Sequence, residues 1–312
     1  MHELFTTSFL TALVAGGLVA GLPLLFVGLG ETISERAGVL NIGLEGMMLM
    51  GAYTGFLGAY YIHSPWGGFA AGIAGGAALS LVMILCCVRL GLNQIVIGIA
   101  ITLAAEGLTS VLQGAQFGQS YPRLGDTSRM AIPLLSDIPV LGKSLFTQPL
   151  LAYLGLALVG VVAYIFRRTR MGLNLRVAGE KPEALDAAGG SVIATRSWAV
   201  LTTGALAGLA GAYLSVIGAG IFVPFMTNGQ GYIGIVLAML ARGRPLFVLL
   251  GAFLFGMALS LSTALQIVGV NISTDVVNML PFAVVLVAIV VFARRSYLPT
   301  ALALPYVRGS RG

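Results

Sequence analysis

Charge is scarce in this chain. Of its 312 residues, 9% are Asp, Glu, Lys or Arg and 58% are hydrophobic, where a soluble domain carries about 25% charged residues. With a mean hydropathy of +0.97, this excludes a soluble globular protein and requires an integral membrane one. Cysteine is almost missing too: Cys86 and Cys87 are adjacent inside an apolar run, a place for packing rather than for a disulfide or a metal. The two histidines, His2 and His63, each stand alone near a membrane end, so no metal cluster is expected. "LGKS" at 141–144 has the end of a phosphate loop, but Asp137 stands where the first glycine is required. No nucleophile and base pair and no dinucleotide fingerprint is visible. The chain is therefore expected to be no enzyme and to hold no cofactor.

What is present is apolar length. A membrane helix takes roughly 20 apolar residues, and two uncharged runs, 46–88 and 197–241, are each long enough for two crossings. They divide at "SPWGG" (64–68) and near "VPFMTNGQG" (223–231). The spans expected are 5–30, 44–62, 67–88, 90–113, 148–166, 198–219, 229–241, 246–268 and 276–293. That predicts an all-α polytopic membrane protein of about nine (8–10) transmembrane helices in one domain, 1–312, with 229–241 short enough to be a half-helix. The start, "MHELFTTSFL", lacks the basic region of a secretory signal, so the first helix is expected to be retained.

Lysine and arginine collect in cytoplasmic loops. Arg167, Arg168, Arg170, Arg176, Lys181 and Arg196 form one group, Arg242 and Arg244 a second, and Arg294, Arg295, Arg308 and Arg311 a third. Nine spans put all three groups on one side, with the N-terminus outside. The net charge of +6 then reports topology rather than nucleic-acid binding. Glycine, at 43 residues, pairs at Gly72 and Gly76 and at Gly204 and Gly208, with Ala207 and Gly211 at the same spacing. Small residues on one helix face let backbones approach closely in a bilayer.

The segment 167–197 is the one substantial polar piece. Pro182 suits a first helical turn, Glu183 complements its positive end, and Gly189 and Gly190 suit a left-handed cap. A short helix near 182–188 is predicted, with Ala184, Leu185 and Ala188 as its apolar face.

Three motifs carry a resemblance. "SERAGVLNIGLEGMMLMGAY" (34–53), "GLNQIVIGIAITLAAEGLTSVL" (91–112) and "TRMGLNLRVAGEKPEALDAAGGSV" (169–192) resemble the permease subunits of ABC importers of the branched-chain amino acid, ribose and nucleoside type, in particular the nucleoside, basic membrane lipoprotein-associated branch. "GYIGIVLAMLARGRPLFVLLGAFLFG" (231–256) extends the likeness. The resemblance implies a type II-like importer permease bundle forming half of a translocation pore. It also implies a second homologous permease chain, a cytoplasmic ATPase that uses ATP and Mg, an external substrate-binding lipoprotein, and the plasma (inner) membrane of a bacterium. Under it, 167–197 is the coupling loop and Gly179, Glu180, Pro182, Ala187 and Gly190 match the ATPase-coupling motif. Lys181 stands where the family often has Asn, and Gly189-Gly190-Ser191 where it has a single Gly.

Polar groups at membrane depth mark pathways or pair with one another. The candidates for the substrate pathway are Asn41, Glu45, Asn93, Gln94 and Glu106, with Asn271, Asp275 and Asn278 towards the end of the last span. Each has a structural alternative. Asn41 suits a helix cap and Glu45 an acid at its own helix start, Asn93 and Gln94 suit helix ends, and Glu106 suits pairing between helices. Glu31, Glu35 and Arg36 are expected at the cytoplasmic membrane face. The rival to an ATP-driven importer is an ion-gradient-driven secondary transporter of a small polar solute, which would carry coupling acids at broken helices.

Overall fold

The computed structural model describes residues 7–125, 130–131, 141–267, 279, 283, 286–287, 290 and 298–306. Asn271, Asp275, Asn278, most of the expected span 276–293 and the arginines at 294, 295, 308 and 311 lie outside the described residues. Eleven helices are described: α1 (Thr7–Arg36), α2 (Leu44–Ile62), α3 (Pro65–Met83), α4 (Gln94–Phe117), α5 (Leu141–Leu145), α6 (Leu150–Arg168), α7 (Arg170–Glu180), α8 (Pro182–Ala187), α9 (Val192–Tyr213), α10 (Gln230–Ala241) and α11 (Pro245–Ile267). Two short strands, β1 (Met130–Ala131) and β2 (Thr147–Gln148), pair antiparallel. Both α3 and α9 end in π-helical turns, Ile84–Arg89 and Leu214–Ala219.

Among the described residues five helices are long and apolar enough to cross a membrane: α1, α3 with its π turn, α4, α6, and α9 with its π turn. The fold is thus an all-helical polytopic membrane bundle. α10, at 12 residues, falls short of a full crossing, and α2 carries Glu45 and three tyrosines within its 19 residues.

Two boundaries differ from the sequence reading. The segment 167–197 is mostly helical: the Thr169 hydroxyl accepts the Gly172 N–H to open α7, and Ser191 accepts the Ala194 N–H to open α9, six residues before the expected start. Local caps outweigh the polar composition there. Arg196 consequently lies inside α9, 3% exposed, and not in a loop. α1 runs on through Arg36, and Glu31 and Glu35 are 0% and 5% exposed. They are buried against the protein, because the chain after α1 folds back over them and the Asn41 N–H donates to Glu31 Oε1 at 3.0 Å.

The centre is built from small residues. α1 packs on α9, α10 and α11, while α2, α3 and α9 pack together. A Cβ on Gly208 would collide with the Gly72 carbonyl, one on Gly76 with the Gly204 carbonyl, and one on Gly211 with the Met48 carbonyl. Backbones of three helices therefore touch, which compensates for the absence of a hydrophobic force between helices in lipid. Gly107 on α4 has nothing within 4 Å of its Cβ position. Gly208→Val is expected to destabilise the bundle by about 3 kcal/mol or more, and Gly107→Ala to be neutral. The monodisperse fraction of each variant in detergent by size-exclusion chromatography checks both, and equal yields would contradict the packing account.

Candidate functional site

The chain between α9 and α10 breaks inside the bundle. After the π turn, Gly220 has φ +65°, Phe225 +63°, Asn228 +45° and Gly229 +80°. Positive φ is uncommon for a non-glycine residue, and such conformations concentrate at functional sites. Phe225 is 56% exposed.

This break leaves the first amides of α10 without helical partners. Glu45, in the first turn of α2, supplies the acceptors. Its Oε1 accepts the Thr227 hydroxyl at 2.6 Å and the Gly229 N–H at 2.8 Å, and its Oε2 accepts the Gly231 N–H at 2.6 Å. A Cβ at Gly231 would lie 2.5 Å from Glu45 Cα, so only glycine lets α10 approach. The carboxylate thus sits against the positive ends of two helices, its own and α10. Beside the break lies a cavity of about 510 Å³, lined mainly by apolar side chains including Val19, Ala20, Leu214, Val223 and Met226.

The other nominated residues divide. The Gln94 side chain, 3% exposed, accepts the Leu40 N–H at 2.8 Å. Asn41 Nδ2 donates to Met47 Sδ at 3.4 Å, and its buried Oδ1 has no partner. It does not cap α2, whose cap is Gly43 with no side-chain bond. Glu31, Asn41 and Gln94 therefore brace the α1–α2 connection beside Glu45. Asn93 caps α4, accepting the Ile95 and Val96 N–H groups at 2.9 and 3.2 Å. Glu106 lies apart, 12 residues or about 18 Å along α4 from Gln94. It is half-buried and has no side-chain partner among the described residues. Thr102 Oγ1 and Gln113 Oε1 on the same helix are buried and unpartnered.

The motif in α7 and α8 is also placed. Gly179 is buried with its Cα side against the Arg36 carbonyl, and Glu180 pairs with Arg176 at 3.0 Å on the surface. Pro182 opens α8 and is buried. Gly189, at φ +83°, and Gly190 close α8 with bonds to the carbonyls of Asp186 and Leu185, both 2.9 Å. This is a Schellman cap. Of the expected apolar face, Leu185 turns inward onto Ala178 and Val192, while Ala184 and Ala188 are exposed, as is Ala187 of the coupling motif.

Thr227 and Arg196 were not nominated from sequence. Thr227 stands in a polar turn that reads as a loop, and Arg196 stands beside a basic segment; only the folded partners distinguish them.

A broken helix capped by a buried acid inside a small-residue bundle is a transport architecture, and the comparisons agree. Residues 13–289 match the family described as branched-chain amino acid transport system / permease component. The chain belongs to that family. A putative glucose ABC transporter permease protein of Haloferax volcanii is 40% identical over 80% of this chain and 76% of its own. A guanosine ABC transporter permease protein of Bacillus subtilis is 33% identical over 97% and 98%, and a nucleoside ABC transporter permease protein of Lactococcus lactis 31% identical over 96% and 98%. This permease is a multi-pass subunit of the ABC importer type, non-catalytic, and such subunits work with an ATPase and a substrate-binding partner.

Glu45→Ala strands Thr227 and two buried amides, each worth about 1–3 kcal/mol. The variant permease should melt markedly lower in detergent, while Glu106→Gln should melt within about 0.5 kcal/mol of wild type. A Glu45→Ala protein with unchanged thermal unfolding would show that α10 does not depend on this cap.

Proposed function

We propose that the permease forms half of the translocation pore of an ATP-driven ABC importer for neutral polar solutes of the nucleoside or sugar class. The observation that carries the neutrality is Glu45. A half-helix N-terminus inside a transporter is a ready site for an anionic group, and here the chain's own carboxylate fills it. An anionic solute at that break would meet a negative charge rather than free amides. The relatives named for guanosine, nucleosides and glucose support the same class.

In this reading the chain crosses a bacterial inner membrane about nine times, with the N-terminus outside and α7, α8 and the C-terminal segment cytoplasmic. A second homologous permease completes the pore, and a heterodimer is the expected pairing. An external lipoprotein delivers the solute, and the ATPase, which uses ATP and Mg, receives α8. Ala187, exposed on α8, is the contact residue, while Gly179, Pro182 and Gly190 hold α8 in place and Glu180 with Arg176 stiffens the exposed end of α7. Asn41, Gln94 and Asn93 support the pore helices, and Glu106 is left as the acid facing the pathway. Specificity at the lipoprotein permits a weakly binding pore, because strong binding would slow release.

The test is uptake into membrane vesicles holding the partner chains. Uptake should need ATP and persist when ion gradients are collapsed, and guanosine should compete with labelled nucleoside where guanosine monophosphate does not. Transport by this chain alone on a proton or sodium gradient would sink the proposal and establish the secondary transporter.

A further inference from the structure

We infer that Arg196 is a positioning residue for transport coupling: it binds the segment 298–306 to α7, α8 and the end of α1, so that displacement of α8 is passed to the start of α2. The inference rests on the proposed reading of α8 as the ATPase-facing element.

Arg196 is 3% exposed, and among the described residues its hydrogen bonds all go to backbone carbonyls, with Glu183 of α8 and Tyr306 as its electrostatic neighbours. Nε donates to Ala37 O at 3.1 Å, one terminal nitrogen to Leu304 O at 2.8 Å, and the other to Ala178 O at 3.3 Å, with Ala301 O at 3.5 Å. Ala37 follows the last residue of α1, and Ala178 lies in the last turn of α7. Carbonyls at helix C-termini lack intrahelical donors and favour a cation. One planar fork thus serves two helix ends and a separate strand of chain, which the compact ammonium of lysine cannot do at the same angles.

The segment it holds reaches the α1–α2, α3–α4 and α7–α8 connections. The Ala301 N–H donates to Gly179 O at 2.9 Å, the Ala303 N–H to Gly38 O at 3.1 Å, and the Thr300 hydroxyl to Glu180 O. Pro305 lies beside Gly91 in the α3–α4 connection. Tyr306 packs on the cluster of Ala178, Leu185 and Val192 that anchors α8. Gly38, at φ +84°, is crowded by Arg196, Ala301 and Gly179 together. From Gly38 the chain passes through Leu40 and Asn41, held by Gln94 and Glu31, to Glu45 and so to the cap of α10. A continuous packed route therefore joins the α8 surface to the helix break.

The test compares full complexes (this chain, its companion permease, the ATPase and the binding protein) reconstituted in liposomes, reading solute imported per ATP hydrolysed. In Arg196→Lys and Arg196→Met that ratio should fall about tenfold while ATP hydrolysis continues, a drop of the size of ordinary allosteric couplings. Gly107→Ala on α4 should keep the wild-type ratio, because its Cβ position is open and lies outside this route. A merely structural arginine would reduce the amount of complex and leave the ratio of the surviving complex unchanged, and that result overturns the inference. If neither variant assembles, a chain ending at residue 297 takes their place. A lowered ratio there supports the inference; an unchanged ratio or failure to assemble overturns it. Wild-type import that needs no ATP would fail the proposed function itself, whereas ATP-driven import with unchanged variant ratios fails only the role of Arg196.

Discussion

A helix end buried in a membrane protein exposes amides or carbonyls that water cannot reach, and each left unpaired costs several kcal/mol. In this permease the bonds from Glu45 to Thr227, Gly229 and Gly231 remove that cost at the start of α10. The half-helix and the irregular stretch 220–229 before it depend on it, because the Thr227 carbonyl takes only the Gln230 N–H and leaves the amides of Gly229 and Gly231 to the carboxylate. Arg196 solves the opposite problem, giving donors to carbonyls at the ends of α1 and α7. A buried acid and a buried base thus each answer a helix dipole of opposite sign.

The packing of α2, α3 and α9 is stiff by construction. Glycines at 72, 76, 204, 208 and 211 bring three helix backbones into contact, leaving little room for α2, α3 and α9 to slide. The break before α10 lies outside that lock. That stretch is strained and partly exposed, with Phe225 and Asn228 at positive φ.

Much of the helical layout was legible in residues. The run from Leu44 to Ile62 reads as one span because Gly43 precedes it and "SPWGG" separates it from the next apolar run, and α2 has those limits. The shortness of α10 was visible in "TNGQG" before it and Arg242 after it. The site was harder. Asn93 announced itself as a cap by standing just before an apolar helix, since a cap acts on amides two and three residues away. Glu45 announced only that it was unusual: its partners are more than 180 residues distant, and nothing local distinguishes a carboxylate that lines a path from one that caps another helix. The sequence put Arg196 in a polar loop and Glu31 at the membrane face, and the structure buries both side chains in protein, because composition cannot tell which side of a helix faces protein.

By itself the sequence determined that this chain is a membrane-embedded helical bundle without catalytic machinery, because apolar length, charge scarcity and glycine spacing act locally and need no fold to be read. Only the tertiary structure decided what the few polar groups do. Their roles come from which distant backbone ends they meet, and in a bilayer that pairing decides whether a charge is a defect, a brace or a gate.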